Sequence, residues 1–306
     1  MVKIILMLTF ADLELVTAIS AGGSLSEAAR KLRVTTAALS MRLRKLEGEL
    51  GLKLASRESR CLVLTEDGER LAEEGKRLLH SLEELSESMI ADDHQLQGTL
   101  RLSAPFGFGR LRLAPILARF AKLHPKLKIE LDLKETPWPD RNSCDAVIHI
   151  GAISDSSWTA QVLASNERWL CASPAYLKKQ GIPEKPGDLA SHRCICIREN
   201  DEHVTLWHLH KKTKSQSVRI APSMTTNDGG VARRWAESDL GLVLRSQWDV
   251  AESIANGVLV RVLSDWQFDT APILLLIPTR KNRSLKVQML SSFLSSSFKH
   301  LPPESA

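Results

Sequence analysis

Several protein classes are excluded by what this sequence lacks. None of its apolar stretches reaches the roughly 18 or more residues that a membrane span needs, so no membrane partner is expected. Its 306 residues include five cysteines (Cys61, Cys144, Cys171, Cys194 and Cys196), scattered and odd in number. That pattern argues against a disulfide framework and fits a reducing cytosol, so a cytoplasmic location is expected. The opening "MVKIILMLTF" has too short an apolar part for an export signal, and no small-residue cleavage site precedes "ADLE". There is no G-x-S-x-G elbow, no H-E-x-x-H and no phosphate loop. Ser296-x-x-Lys299 fits S-x-x-K only inside a serine-rich helix. We therefore expect no enzyme, no cofactor and no catalytic residues.

What is present points elsewhere. The hydrophobic share of 43% and charged share of 25% are those of a soluble globular protein, long enough for two or three domains. The net charge of +5 is modest, but it is unevenly placed. Residues 30–60 hold nine Lys or Arg against three acids, and residues 66–94 hold three against ten. A basic block followed by an acidic helix implies an anionic partner for the first segment only.

The first sixty residues read as short helices joined by tight turns. "FADLELVTAIS" is amphipathic through Leu13, Val16 and Ile19 and stops at Gly22-Gly23. "SEAARKL" is expected to start at Ser26 as N-cap and carries Ala28 and Ala29 where helices would cross. "TTAALSMRLRKLEGELG" follows, capped by Thr35 and ended by Gly51. Its Leu39, Leu43, Leu46 and Leu50 form one apolar stripe. The other side holds Ala37, Ser40, Met41 and Arg44, with small or slender residues, no acid in the first two turns, and basic residues after them. Two helices joined by three or four residues form a helix-turn-helix. Such a bare face suits a DNA major groove. Thr36 and Ser40 can donate to phosphates or bases, Ala37 and Met41 can touch a thymine methyl, and Arg44 supplies charge. "LKLASRESRCLVLT" alternates as a wing would, placing Arg57 and Arg60 near flanking phosphates. A plain helical bundle with a basic solvated face would share the same spacing.

From Thr65 a long helix is expected to about Asp92. Leu71, Gly75, Leu78, Leu82, Leu85 and Met89 are spaced as a coiled-coil seam, which predicts a dimer. Beyond Thr99 short strands ("TLRLSA", "KIELDL", "DAVIHIG", "RWLCAS", "CICIRE", "LGLVLR") alternate with the helices "APILARFAKLHP" and "GGVARRWAES". This series predicts α/β architecture with ligands at the carboxyl ends of strands. "APILLLIP" and "SLKVQMLSSFLSSSF" are expected to return to the first α/β lobe.

The stretch "DLELVTAISAGGSLSEAARKLRVTTAALSMRLRKLEGELGLKL", then "SR" and "LTEDGERL", resembles the amino-terminal domain of LysR-type transcriptional regulators. The resemblance implies an all-α winged helix-turn-helix domain over residues 8–65 and a coiled-coil linker helix over 66–93. A two-lobed α/β effector domain similar to periplasmic binding proteins would follow over 94–306. Lobe I would take about 95–160 and 268–300, and lobe II about 161–267. It also implies an operator in double-stranded DNA, a small-molecule effector, dimers that pair into tetramers, and RNA polymerase as a candidate partner. Carried over by position, the start of the recognition helix falls on Thr35, Thr36, Ala37, Ser40 and Met41, and the wing arginine on Arg57. Two positions depart from the family pattern: Arg33 stands where the turn usually has glycine, and Met41 where an arginine is frequent.

The same resemblance puts the effector cleft between the lobes. Its candidates are Ser103, Ala104, Pro105 and Phe106 after the first strand, and Thr136 after the second. Gly151 and Ala152 follow the third strand, and Thr225, Thr226 and Asn227 precede a helix, with Trp138 and Arg110 at the rim. Hydroxyls at helix starts suit a carboxylate, although each could simply cap its helix. Cys194-x-Cys196 and His208-x-His210 could each offer two ligands on one strand face, but "CICI" also reads as a buried strand and "LWHLH" as an exposed one; no metal is expected. His149, inside an apolar strand, reads as structural. The expected function is a sequence-specific DNA-binding regulator controlled by a small, carboxylate-bearing effector. The rivals are a solute-binding module, which would need export and no basic first domain, and an α/β enzyme, which would need a catalytic constellation.

Overall fold

The computed structural model describes residues 8–22, 24–58, 61–90, 96–139, 144–153, 158–199, 202–203, 205–278 and 284–299. The chain divides into two compact units that part after His94. In the first, α1 (Phe10–Gly22), α2 (Leu25–Lys31) and α3 (Thr36–Leu50) are followed by a hairpin of β1 (Ala55–Glu58) and β2 (Cys61–Leu64), then by α4 (Glu66–Ile90). Each start has a local cause. Thr9 and Asp12 exchange bonds at the head of α1, and Ser24, two residues before the expected Ser26, accepts from the Glu27 amide to cap α2. Thr35 caps α3 through the Ala38 amide, and Gly51, at φ 67°, ends it. Leu15, Val16, Ile19, Leu39, Leu43, Leu46 and Leu54 form the core, with Ala28 and Ala29 letting the helices close up. The hairpin pairs Ala55 with Leu64 and Arg57 with Leu62.

The α2–α3 turn is a complete Schellman motif. The Val34 amide donates to Ala29 O at 3.0 Å and the Arg33 amide to Arg30 O at 3.2 Å, which holds Arg33 at φ 55°. Glycine adopts that backbone freely, whereas a side chain there costs about 1–2 kcal/mol. The turn tolerates Arg33 under strain.

The seam of α4 is split. Leu71 packs on the core, and a Cβ at Gly75 would lie 3.4 Å from Leu13 and Thr17, so this half leans on its own unit. Leu78, Leu82 and Leu85 are 52%, 45% and 57% exposed. The side chain of Met89 lies outside the described set.

The second unit begins with β3 (Gly98–Pro105), which leads through α5 (Phe106–Phe108) and a π-helical turn (Gly109–Leu113) into α6 (Ala114–Leu123). Next come β4 (Leu127–Lys134), β5 (Ala146–Ile150), β6 (Trp158–Ala164), β7 (Arg168–Ala172), α7 (Pro174–Gln180) and a 3-10 turn (Pro186–Ser191). They are followed by β8 (Cys194–Glu199), β9 (Glu202–His203), β10 (Leu206–Lys211), β11 (Lys214–Arg219) and β12 (Pro222–Thr226). The chain then forms α8 (Gly229–Glu237), β13 (Leu242–Ser246), α9 (Gln247–Ala255), β14 (Val260–Val262), β15 (Gln267–Phe268), β16 (Ile273–Pro278) and α10 (Leu285–Lys299).

One sheet runs β4-β3-β5-β16-β6 and makes lobe I, with Leu100, Leu102, Phe108, Phe120 and Leu275 in its core and α10 against it. Lobe II is built on β12-β8-β13-β7-β14, with β11-β10-β15 as a smaller sheet. Because β6 pairs with β16 from Trp158 to Ala164, the first crossing falls after Ala164 rather than near residue 160. Asn166, almost fully buried, ties this crossing to the return. Its Nδ2 donates to Ala271 O at 2.8 Å, and the Ala271 amide donates to Asn166 O at 3.1 Å.

Among the described residues no helix is long and apolar enough to cross a membrane, and no cluster of three or more His, Cys, Asp or Glu gathers as metal ligands. Cys194 and Cys196 lie in the lobe II core, and burial pushes their thiols up to about 12 and about 11, so both stay protonated at neutral pH. His208 and His210 are exposed on β10, with Nδ1 bonded to Ser217 and Ser215 respectively.

Two expected outcomes follow from the first unit. Arg33→Gly raises its stability by about 1 kcal/mol in denaturant unfolding; an unchanged or lower value contradicts the strain. Glu47, buried, accepts from Lys53 Nζ at 3.0 Å and from the Leu54 and Ala55 amides at 3.0 and 3.3 Å. Burial alone would raise its pKa, but these bonds outweigh burial and hold the carboxyl below the ordinary 4.5. A depressed value means the contribution is full above 4.5 and lost as pH falls through the folded value. Glu47→Gln costs about 2 kcal/mol at neutral pH and flattens the acid limb of the stability curve; an unaltered limb contradicts the assignment.

Candidate DNA-facing helix and effector cavity

On α3 the first turns are bare. Thr35, Thr36, Ala37 and Arg44 are exposed, Ser40 is half-buried, and Met41 is 66% exposed although no apolar neighbour covers it among the described residues. Leu39, Leu43 and Leu46 hold the opposite side in the core. The ion pair of Arg42 Nε with Asp12 Oδ1, at 3.4 Å, ties α3 to α1 and leaves Arg44 without a partner among the described residues. Arg57 sits on β1 opposite Leu62; Arg60 lies outside the described residues.

A cavity of about 510 Å³ opens within the second unit, with walls from both lobes. Of the residues expected from the sequence, Pro105, Phe106, Thr136, Trp138, Gly151, Ala152 and Asn227 line it. Ser103 and Ala104 do not. They lie inside β3, paired with Asp132 and Leu133, and the buried Ser103 hydroxyl has no hydrogen-bond partner among the described residues. Thr225 and Thr226 also fall outside the wall. β12 pairs them with Cys196 and Ile197, and Thr226 Oγ1 accepts from the Asp228 amide at 3.1 Å, a turn role rather than a cavity one. Arg110 is held by Asp228 at 2.7 Å, which joins lobe I to lobe II. His149 lines the cavity as well, edge-on to Trp138 at 5.9 Å.

The groups that give the cavity its charge were missed. Antiparallel pairing sets Ser246 of β13 opposite Arg168 of β7, which brings Arg168 and Arg245 into one wall. The Arg168 side chain makes no hydrogen bond or ion pair among the described residues. Arg245 spends Nε on Asp249 at 2.8 Å, leaving both terminal nitrogens without a bond. Its guanidinium lies over Gly229, where a Cβ would come within 2.0 Å of Nη2. Asp228 caps α8 through the Gly230 and Val231 amides at 2.7 and 3.2 Å. Burial would raise the Asp228 pKa, but these bonds and Arg110 together hold it below the usual aspartate value. In the same wall, Trp248 Nε1 is buried without a partner, and its ring meets Phe108 edge-on at 5.3 Å.

Residues 10–69 match the lysR-family bacterial regulatory helix-turn-helix protein, and residues 93–299 match the LysR substrate binding domain. The chain belongs to the LysR family. It is a DNA-binding transcriptional regulator that responds to a small-molecule effector. It is 32% identical to the transcriptional regulator DmlR of Escherichia coli K12 over 294 residues, covering 95% of each chain. It is also 31% identical to the transcriptional activator AaeR of the same strain, covering 90% of this chain and 89% of that one. Among solved structures, full-length AphB, a virulence activator of Vibrio cholerae, is similar at 25% identity and a TM-score of 0.66, over 94% of this chain and 99% of that one. CrgA of Neisseria meningitidis is similar at 26% and 0.60, over 95% and 99%. In this LysR regulator the bare side of α3 is presented by the matched helix-turn-helix, and the cavity lies in the matched substrate binding domain.

Gly229→Ala is expected to drive the Arg245 guanidinium off the start of α8. That movement draws Arg245 Nε away from the buried Asp249, so the variant should lose about 3 kcal/mol in denaturant unfolding. A crystal structure of the variant with Arg245 unmoved would contradict the close approach.

Proposed function

We propose that this regulator works as a cytosolic dimer, joined through Leu78, Leu82 and Leu85 of the linker helix, and that it performs no chemistry of its own. Thr35, Thr36, Ala37, Ser40, Met41 and Arg44 meet the operator, with Arg57 and Arg60 on the flanking phosphates. The effector is a small carboxylate seated in the cavity. The observation that carries this is the donor set in one wall: Arg168 without a partner, Arg245 with two free terminal nitrogens, and the orphan Trp248 indole N–H. Donors left open in an enclosed site bind a carboxylate well, because pairing relieves their desolvation. Pro105, Phe106, Thr136 and Gly151 shape the remainder of the site. Ser103, Ala104, Thr225 and Thr226 support it from behind the wall. The effector shifts the population of lobe arrangements, and the subunits pass this to paired half-sites, as dimers or as tetramers.

The DNA half of this reading is tested by binding to one operator across a salt series. Arg57→Ala weakens binding and lowers the slope of log affinity against log salt by about 0.9, one phosphate contact. A slope equal to wild type removes Arg57 from the interface.

A further inference from the structure

The cavity holds an acceptor as well as donors. Glu135 follows β4 in the lobe I wall. Its Oε2 accepts from Asn227 Nδ2 at 3.3 Å, while Oε1 is buried with no partner among the described residues. No lysine, arginine or histidine among the described residues pairs with it. Buried carboxylate oxygens are rarely left this way, since removal from water costs free energy unless a donor replaces the water. Arg168, Arg245 and Trp248 stand on the lobe II wall of the same cavity, and none of them makes a hydrogen bond or ion pair with Glu135.

We propose that the effector is a small acid that carries a hydrogen-bond donor, an ammonium or a hydroxyl, on the same molecule as its carboxylate. The carboxylate meets Arg168 and Arg245 on lobe II, and the donor meets Glu135 on lobe I. This deepens the carboxylate reading above and rests on it. An acid lacking the donor would leave Glu135 Oε1 unpaired in a closed site, and its own charge would repel the glutamate. A ligand with both groups bridges the two walls and neutralises each. Because Asn227 already links Glu135 to lobe II, the donor also acts at a point where the lobes are joined. Phe106, Trp138, Trp207 and Trp248 around the cavity leave room for an apolar or aromatic body between the polar ends.

The test uses the full-length protein and three probes of one skeleton, 3-phenylpropionate, 3-phenyllactate and phenylalanine, with affinity measured by calorimetry. At least one of the two donor-bearing acids is expected to bind about tenfold tighter than 3-phenylpropionate, the effect of leaving a buried acceptor unpaired. Which of the two gains separates hydroxyl from ammonium. Glu135→Ala should bring the three within about twofold of one another, and Glu135→Gln, which keeps the side chain's size, should erase the gain of an ammonium. Thermal unfolding of each variant shows that it is folded. Equal affinity of all three probes for the wild-type protein, or no measurable binding by any at millimolar concentration, overturns the proposal. Arg168→Gln keeps the two readings apart. If it weakens 3-phenylpropionate while the donor-bearing acids bind no better than that probe, the carboxylate site stands and the Glu135 inference falls. If it leaves every affinity unchanged, the carboxylate site falls as well.

Discussion

Asp249 has its side chain 1% exposed, and two guanidiniums reach it: Arg245 Nε at 2.8 Å and Arg233 Nε at 3.8 Å. Arg233 also donates to the Asp249 carbonyl at 2.9 Å and lies 3.7 Å from Glu237, which accepts from Ser253. A carboxylate so far from water is stable only while its partners stay in place, and removing one would strand a buried charge. The consequence for the cavity is directional. With Nε committed to Asp249 and the guanidinium plane resting on Gly229, Arg245 can offer a ligand only its two terminal nitrogens. The donor edge is therefore set before any ligand arrives, which is what tight orientation of a small acid requires.

The cavity belongs to neither lobe alone, so its shape follows from how the chain crosses between them. Asn166 bonds both crossing segments to each other and donates to Ser246 at 3.1 Å, directly beside Arg168 in the β7–β13 register. The fixed axis and the charged wall thus share a residue. Away from that axis the lobes are joined by lighter links: Arg110 to Asp228, Asn227 to Glu135, and Arg112 Nη2 to Trp248 O at 2.9 Å. The Arg110 pair is more than half exposed on one side and contributes little by itself. A stiff crossing with weak outer links is the construction in which a ligand's modest binding energy can bias the lobe arrangement.

How much of this could be read from the chain depended on whether the cause was local. The stripe Leu39, Leu43, Leu46 and the caps Thr35 and Gly51 were legible because helix period and capping act within a few residues. Ser24 was missed for Ser26 because both precede "EAARKL", and only the backbone reveals which hydroxyl reaches an amide. β3, β4, β5, β7, β8, β13 and β16 were legible as apolar runs, whereas β6, with alternate residues exposed at a sheet edge, and the short or exposed β9, β11, β12, β14 and β15 were not. In the cavity, residues at the ends of β3 and β5 could be anticipated from the rule that ligands gather at strand ends. Arg168 and Arg245 could not, since their nearness is a product of antiparallel register between strands more than seventy residues apart. Thr225 and Thr226 stood one to four residues from the wall-forming Asn227 and Gly229, because the start of α8 is set by Asp228 and not by the threonines.

The first unit follows a different economy. Its core is small, and it leaves apolar side chains in water on two separate faces: Met41 on α3, and Leu78, Leu82 and Leu85 on α4. A unit of this size gains little from its own core, and exposed leucines at coiled-coil spacing are a cost in water. The bare side of α3 differs in kind. Thr36, Ala37 and Ser40 are too short to bury much area against protein, yet they let a partner come close to the helix backbone. Arg33 enters through the same turn, held in a left-handed backbone that most side chains avoid. An exposed cation kept at that cost beside the start of α3, with no acid in the helix's first turn, adds positive charge there. The two faces thus differ in chemistry, apolar on α4 and short and polar on α3.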